Sequence, residues 1–140
     1  MRRVLGLLLL GVSALAVGCD NSGDTTTPTT PSVPVVTENF TGTVDAGGQS
    51  VNQFTVATSG NQVNVILTAA GPPATIYMGI GVGTWANSTC TLLTNGSVVA
   101  QAGATAQLSG TVNAGTYCVE IYDAGNQAAQ ISYAVTVTHY

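Results

Sequence analysis

From Thr37 to Tyr140, the chain alternates apolar and polar residues in short runs. In "NQVNVILTA", for example, Val63, Val65 and Leu67 fall on one face of an extended strand. A period of two, with Val, Ile, Thr and Tyr enriched, is typical of half-buried antiparallel strands. The same spacing recurs in the runs "NQFTVAT", "ATIYMGIGV", "GTYCVEIYD" and "ISYAVTVTH". No stretch shows the spacing of an amphipathic helix.

Clusters of Gly, Asn and Asp separate these runs, as in "DAGGQ", "TSGNQ", "TNGS" and "DAGNQ". Such clusters form turns. Asn95-Gly96 predicts a two-residue hairpin, because both central residues of a type I′ turn need positive φ. The pattern therefore predicts an all-β fold, an antiparallel β-sandwich of eight or nine short strands with jelly-roll or Greek-key connections.

The first 18 residues have the layout of a secretory signal. Arg2 and Arg3 precede the uncharged run "VLGLLLLGVSALAV", and small residues follow. The alternative is a retained transmembrane helix, but a membrane span needs about 20 apolar residues and this run is shorter. We interpret residues 1–18 as a signal peptide.

Residues 19–36 contain a cysteine followed by a Thr-rich and Pro-rich tract. Pro28, Pro31 and Pro34 favour extended polyproline-II geometry and remove backbone donors, so we expect a linker. At about 3.1 Å per residue it reaches roughly 50 Å when extended. Residues 37–140 then form the β-sandwich domain.

The stretch "LAVGC" that ends in Cys19 resembles the lipobox of bacterial lipoproteins. This resemblance implies that Cys19 becomes the lipid-modified N-terminus, which is a membrane anchor in the bacterial cell envelope. One acyl chain binds a membrane only marginally, whereas two or more anchor it stably. The alternative is a free thiol beside an ordinary cleavage site. Asp20 resembles an inner-membrane retention signal of enteric bacteria, and both the outer membrane and the periplasmic face of the inner membrane stay open.

Cys90 and Cys118 remain as an even pair once Cys19 is set aside. Cysteines of exported proteins usually form disulfides, so we predict that these two are joined. Cys118 has the opposite parity to Tyr117 and Val119 and is expected to point away from the core. A redox or metal site is the alternative, but there is no CxxC spacing and no nearby His.

Charge excludes several functions. The net charge is −4, and no Lys or Arg follows Arg3. Nucleic-acid binding and polybasic attraction to lipid headgroups both depend on these side chains, so neither is expected.

Catalytic constellations are also missing from the sequence. The single histidine, His139, is next to the last residue, where we expect a frayed and solvated position. No Ser lies in a G-x-S-x-G motif, and Glu120 and Asp123 should lie on opposite faces of one strand. The sequence therefore predicts a protein that is not an enzyme and needs no cofactor.

Two weaker candidates for binding remain. Asp45 and Asp123 lie in similar turns and could hold calcium, although an Asp that only forms the turn is the simpler interpretation. Tyr77, Trp85 and Tyr122 are expected on the surface. These rings could stack on sugars, or they could cover strand edges and pack on neighbouring residues.

The segment from Phe40 to Val137 resembles the bacterial pre-peptidase C-terminal domain. The similar stretches are "FTGTV", "VNQFTVATSGNQVNVILTA" and "LSGTVNAGTYCVEIYDAGNQAAQISYAVTV". The resemblance implies a jelly-roll-like accessory module without catalytic activity. We expect a lipid-anchored envelope protein whose sandwich binds an unidentified protein or glycan. A carbohydrate-binding module is the alternative, and a calcium-stabilised adhesion module is a further one.

Overall fold

The computed structural model describes residues 32–140, which form eight strands in two antiparallel sheets. The strands are β1 (Val36–Val44), β2 (Gln49–Val56), β3 (Asn61–Gly71), β4 (Met78–Ala86), β5 (Thr89–Ala100), β6 (Leu108–Val112), β7 (Gly115–Asp123) and β8 (Ile131–His139). Within this part of the chain, no helix could span a membrane.

The strand order is that of a jelly roll. The first sheet has the order β1-β8-β3-β6 and the second has the order β2-β7-β4-β5. Consecutive strands lie in different sheets except β4 and β5, which form a hairpin within the second sheet. The predicted all-β sandwich is confirmed, and the connectivity is the jelly-roll form of it.

The core lies between the sheets and consists of the residues that the alternation places on one face. Each inward side chain is followed by an outward one along the same strand, as the pleat requires. The buried set includes Phe54, Val56, Val63, Val65, Leu67, Ile76, Met78, Ile80, Val82, Tyr117, Val119, Ile121, Ile131, Tyr133, Val135 and Val137. Fully burying a single Val, Leu or Ile side chain contributes roughly 1.5–3 kcal/mol. Apolar burial is therefore the main stabilising term in a domain without Lys or Arg.

The hairpin predicted at Asn95-Gly96 is wrong in position. The turn between β4 and β5 is formed by Asn87 and Ser88, whose φ angles of 51° and 59° match a type I′ turn. Asn95 does have positive φ, at 59°, but it lies inside β5. There, residues 93–96 form a bulge opposite the single residue Val82, since Gly81 pairs with Ser97 and Gly83 pairs with Leu92. Asn87-Ser88 and Asn95-Gly96 both accept a left-handed backbone. The local sequence therefore does not distinguish a bulge from a hairpin turn.

The disulfide between Cys90 and Cys118 is present, as predicted, and the two residues are 28 positions apart. Cys118 points away from the core and pairs in the sheet with Gly83 of β4. A side chain at position 83 would lie 3.0 Å from the Cys118 sulfur and would overlap the Thr91 carbonyl. Because position 83 is glycine, the start of β5 can lie close over β4. Cys90 on β5 can then reach Cys118 on β7, on the other side of β4.

Candidate binding surface

The outer faces of the two sheets differ in chemistry. The first sheet presents hydroxyl and amide side chains to solvent, including Asn39, Thr41, Thr43, Asn64, Thr68, Ser109, Thr111, Ser132, Thr136 and Thr138. The outer face of the second sheet carries larger apolar side chains, described below, together with polar residues such as Gln49, Gln53 and Ser97. A polar, uncharged face needs no partner, whereas an exposed apolar face often marks an interaction site.

Two glycines form the floor of the second sheet's outer face. The ring of Tyr122 on β7 lies across Gly79 on β4, and a Cβ at position 79 would overlap that ring. The Leu92 side chain on β5 lies across Gly81 in the same way, with its Cδ2 2.6 Å from the position of a Cβ. Because glycine leaves this space free, Tyr122 and Leu92 lie flat on the sheet instead of projecting from it.

Tyr77, Leu92, Val99 and Tyr122 together form what we call the apolar face. Val99 pairs with Gly79 across the β4–β5 ladder and is 50% exposed. Tyr77 is 51% exposed, between the buried residues Ile76 and Met78, and therefore lies on the same side of the sheet as Gly79. The rings of Tyr77 and Tyr122 are thus near the same end of this sheet, as a binding surface requires.

Trp85, the third aromatic residue predicted to face a ligand, lies apart from the other two. It shares the outward parity of Gly79 and Gly81 and pairs with Cys90 beside the disulfide. Eight residues separate it from Tyr77, which is about 26 Å along an extended strand. The structure therefore brings two of the three predicted rings to one end of the sheet and leaves the third at the other end.

Glu120 lies at the middle of this outer face, although it was not predicted as a binding residue. It is flanked in the sheet by Val51 on β2 and by Gly81 on β4, and its side chain is only 8% exposed. Burial raises the pKa of its carboxyl group above the ordinary value. Within residues 32–140, no hydrogen bond or ion pair reaches this carboxylate. The sequence signal was the single charged side chain in the otherwise apolar run "YCVEIY".

A cleft of about 250 Å³ opens between the edge strands β5 and β6. Its floor is formed by the core residues Val63, Val65 and Val82, and the β5 bulge forms part of its rim. None of its lining side chains is charged. The volume is below that of pockets that enclose drug-sized ligands, and we assign the cleft no role.

The carboxylate of Asp123 joins two turns through hydrogen bonds to their backbone amides. Its Oδ2 accepts a hydrogen bond from the Gly47 amide at 2.7 Å, and its Oδ1 accepts from the amides of Gly125 and Asn126 at 2.8 and 3.0 Å. The bond from Gly47, followed by those from its own turn, lowers the pKa of Asp123. In the neighbouring turn, Asp45 Oδ1 accepts from Gln130 Nε2 at 2.7 Å.

These contacts favour the turn-forming interpretation of Asp45 and Asp123 over a calcium site. A calcium ion takes several oxygen ligands, and both Asp123 oxygens already accept backbone hydrogens. In the part of the chain that the structure describes, no three His, Cys, Asp or Glu side chains lie close enough together to hold a metal ion.

The expected solvated position of His139 is wrong. His139 ends strand β8 and is 2% exposed, with its ring centroid 5.5 Å from that of Phe54. Its Nε2 lies 2.9 Å from Oε1 of Glu38 on β1. The last residue is also fixed, since the Tyr140 carbonyl accepts hydrogen bonds from Ala57 and Thr58. Pairing of β8 with β1 and β3 brings the chain end into the sandwich.

Cys19 and most of the predicted linker lie outside the described residues. Their assignments as lipid attachment site and spacer stay predictions from the sequence.

Comparison with known proteins identifies no family for this chain. No protein-family model matches the chain, and no curated protein matches it significantly. The resemblance to the pre-peptidase C-terminal domain therefore stays a prediction. Among solved structures, the chain is similar to PliG, a periplasmic inhibitor of g-type lysozyme from Aeromonas hydrophila. The identity is 16% and the TM-score 0.45, over 72% of this chain and 83% of that chain. Likeness at this level leaves the function of this chain open.

Proposed function

We propose that the protein is a lipid-anchored component of the bacterial cell envelope, and that its β-sandwich is a non-catalytic binding module. In this proposal, Cys19 carries the lipid and residues 20–36 form the spacer. The outer face of the second sheet, centred on Glu120 and the apolar face, contacts the ligand.

The contrast between the two outer faces supports this proposal most directly. Both faces belong to the same small domain, and the outer face of the second sheet is covered only in part, where the start of β5 and the disulfide lie over Gly83. The first carries mostly hydroxyl and amide groups, with Ile66 and Ala134 among them, while the second exposes Tyr77, Leu92 and Val99. Water around exposed apolar side chains is entropically unfavourable. Several such side chains together on one face therefore suggest a surface that is covered by a partner.

The described residues offer no comparable support for catalysis. His139 is the only histidine, and it is buried against Glu38 and Phe54, on the side of the first sheet. Its imidazole packs inside the sandwich, whereas the Glu120 carboxylate lies on the outer face of the second sheet. A general base needs a proton of its substrate within hydrogen-bond reach, and a buried ring at a strand end gives a substrate no access.

Cell fractionation tests the anchor. Wild-type protein should be recovered with membranes, and Cys19→Ser should move it to the soluble fraction. Ser22→Ala serves as the control, because it changes a nearby residue but leaves the lipobox and the disulfide unchanged. Membrane association of the Cys19→Ser protein would contradict the anchor.

Photo-crosslinking in intact cells tests the binding surface. A photoreactive phenylalanine analogue, p-benzoylphenylalanine, replaces Tyr77 on the apolar face, and in a matched variant it replaces Thr41 on the exposed face of β1. We expect a discrete adduct from position 77 and none from position 41. Adducts of equal yield from both positions, or none from either, would overturn the proposed binding surface.

A carbohydrate ligand is the second candidate, and one observation favours it. Tyr77, Tyr122 and the Glu120 carboxylate lie on the same side of the second sheet, and aromatic rings next to an acceptor can hold a sugar. Trp85 is too distant to extend this arrangement. Retention on immobilised peptidoglycan, lost in Tyr122→Ala, would support this candidate over a protein ligand.

A further inference from the structure

Glu120 is an unusual residue for the position it occupies. Its neighbours along β7 are Val119 and Ile121, which are in the core, so its side chain is directed to the outer face. Across the ladder it lies between Val51 and Gly81, and Leu92 covers Gly81. A carboxylate is thus held on a sheet surface that carries Val51 and Leu92 as well as the uncharged polar residues Gln49, Gln53 and Ser97.

No group in the described chain compensates this carboxylate. The residue is 8% exposed, and this burial raises the pKa of its carboxyl group. Its carboxylate oxygens keep some contact with solvent, since the buried side-chain atoms without a partner in the described chain are Gln127 Oε1 and His139 Nδ1. A partly desolvated charge without a partner is still unfavourable, and such groups are usually paired or hydrogen-bonded. An apolar residue here would avoid this cost, as Val51 does on the adjacent strand.

Residues 32–140 contain no Lys or Arg that could serve as an internal partner. No Lys or Arg follows Arg3, and the single histidine is already placed against Glu38. The domain therefore has four carboxylates, at Glu38, Asp45, Glu120 and Asp123, and no basic side chain other than His139. Glu38, Asp45 and Asp123 accept hydrogen bonds within the domain, which leaves Glu120 alone.

We propose that Glu120 receives a basic side chain of a protein partner that docks on the apolar face. This inference rests on the proposed function and specifies its partner as a protein that presents Lys or Arg among apolar residues. Arginine suits the site best, because its guanidinium pairs with a carboxylate and stacks on an aromatic ring, and Tyr122 lies flat two residues from Glu120. The apolar face then covers the ion pair and excludes water from it.

A pair of small probes tests the cationic anchor without knowledge of the partner. N-acetyl-arginine amide and N-acetyl-citrulline amide have nearly the same shape, but only the first is charged. Each is titrated into ¹⁵N-labelled full-length protein carrying Cys19→Ser while amide shifts are recorded. We expect the arginine probe to shift the amides of Gly79, Gly81 and Glu120, and we expect it to lower the pKa of Glu120. The citrulline probe should leave these signals unchanged.

Matched variants identify the carboxylate that acts. Glu120→Gln should weaken binding of the arginine probe by about tenfold or more, as expected when a charge-assisted hydrogen bond is lost. Glu38→Gln, which also removes one carboxylate, should leave this binding unchanged. Glu120→Gln should also raise the denaturation midpoint at pH 7, since it removes an unpaired buried charge. If Glu120 instead stabilised the fold, Glu120→Gln would lower the denaturation midpoint.

Several outcomes would overturn the inference. It fails if the two probes bind equally, if neither binds, or if Glu120→Gln binds the arginine probe as wild type does. Shifts caused by an N-acetylglucosamine oligomer, but not by the arginine probe, would assign the surface to a glycan. If the adduct from position 77 persists in these cases, the apolar face remains a binding surface without a cationic anchor. Loss of that adduct as well would refute the proposed function itself.

Discussion

The Tyr122 ring on β7 lies directly across Gly79 on the neighbouring strand β4, where any larger residue would overlap it. Glycine is generally unfavourable inside a strand, because it loses more backbone entropy on folding than other residues do and has no side chain to pack. Here an aromatic ring from the adjacent strand covers the gap, a pairing known to offset this cost. The same contact keeps Tyr122 flat beside Glu120, so it shapes the candidate binding surface.

Replacing Gly79 by Ala should therefore destabilise the domain and change its surface. The added methyl group must displace the Tyr122 ring, and overpacking of this kind costs about 1–3 kcal/mol. Urea denaturation measures the loss of unfolding free energy. Gly110→Ala on β6 is the matched control, because nothing lies within 4 Å of a Cβ there. Equal effects of the two substitutions would argue against the close contact.

Removing the disulfide should lower stability substantially. In the chain-entropy model, cross-linking residues 28 positions apart contributes about 3–4 kcal/mol to the unfolding free energy. The double variant Cys90→Ser/Cys118→Ser should show this loss in urea denaturation, and reduction of the wild-type protein should reproduce it. Cys19→Ser should have the wild-type midpoint, since Cys19 belongs to neither half of this bridge. An unchanged midpoint after full reduction would contradict the prediction.

Asp123 should make the domain sensitive to acid. Its folded-state pKa is lowered, first by the Gly47 amide, so the folded state holds its proton less tightly than the unfolded state does. The resulting stability is present above the ordinary pKa of an aspartate, roughly pH 4, and is lost as the pH falls through the lower folded value. Asp123→Asn should be less stable at pH 7 and should lose less on acidification. Parallel stability curves from pH 7 to pH 2 would show that Asp123 contributes no such dependence.

The contact between Glu38 and His139 should stabilise the end of the chain. Glu38→Ala removes the acceptor that faces the buried His139 Nε2, and an unsatisfied buried donor costs about 1–3 kcal/mol. Glu38→Gln keeps an oxygen at this position and should cost less. Thermal denaturation of the two variants compares them directly. Hydrogen exchange at the paired residues Thr37 and Thr138 should accelerate in Glu38→Ala, because β1 and β8 meet there.

Several features of the protein follow from the sequence by itself. The alternation over Val63, Val65 and Leu67 predicted both a strand and its buried face, because neighbouring side chains of a strand always point to opposite sides. Parity likewise placed Cys118 outside the core, and counting cysteines left it to pair with Cys90. The strand and its faces depend on residues one or two positions apart, and the pairing depends only on the number of cysteines, so these properties are visible without knowledge of which strands are neighbours.

Only the tertiary structure decided which residues share a surface. Glu120 became a candidate site because Val51, Gly81 and Leu92 surround it, and these come from three other strands. The burial of His139 likewise depends on Glu38, which is 101 positions away. Strand pairing between distant segments is set by how the whole core packs, and it determines the solvation of each side chain. The sequence thus determined the strands and their faces. The packing of the sheets determined that the Glu120 carboxylate has no partner among the described residues.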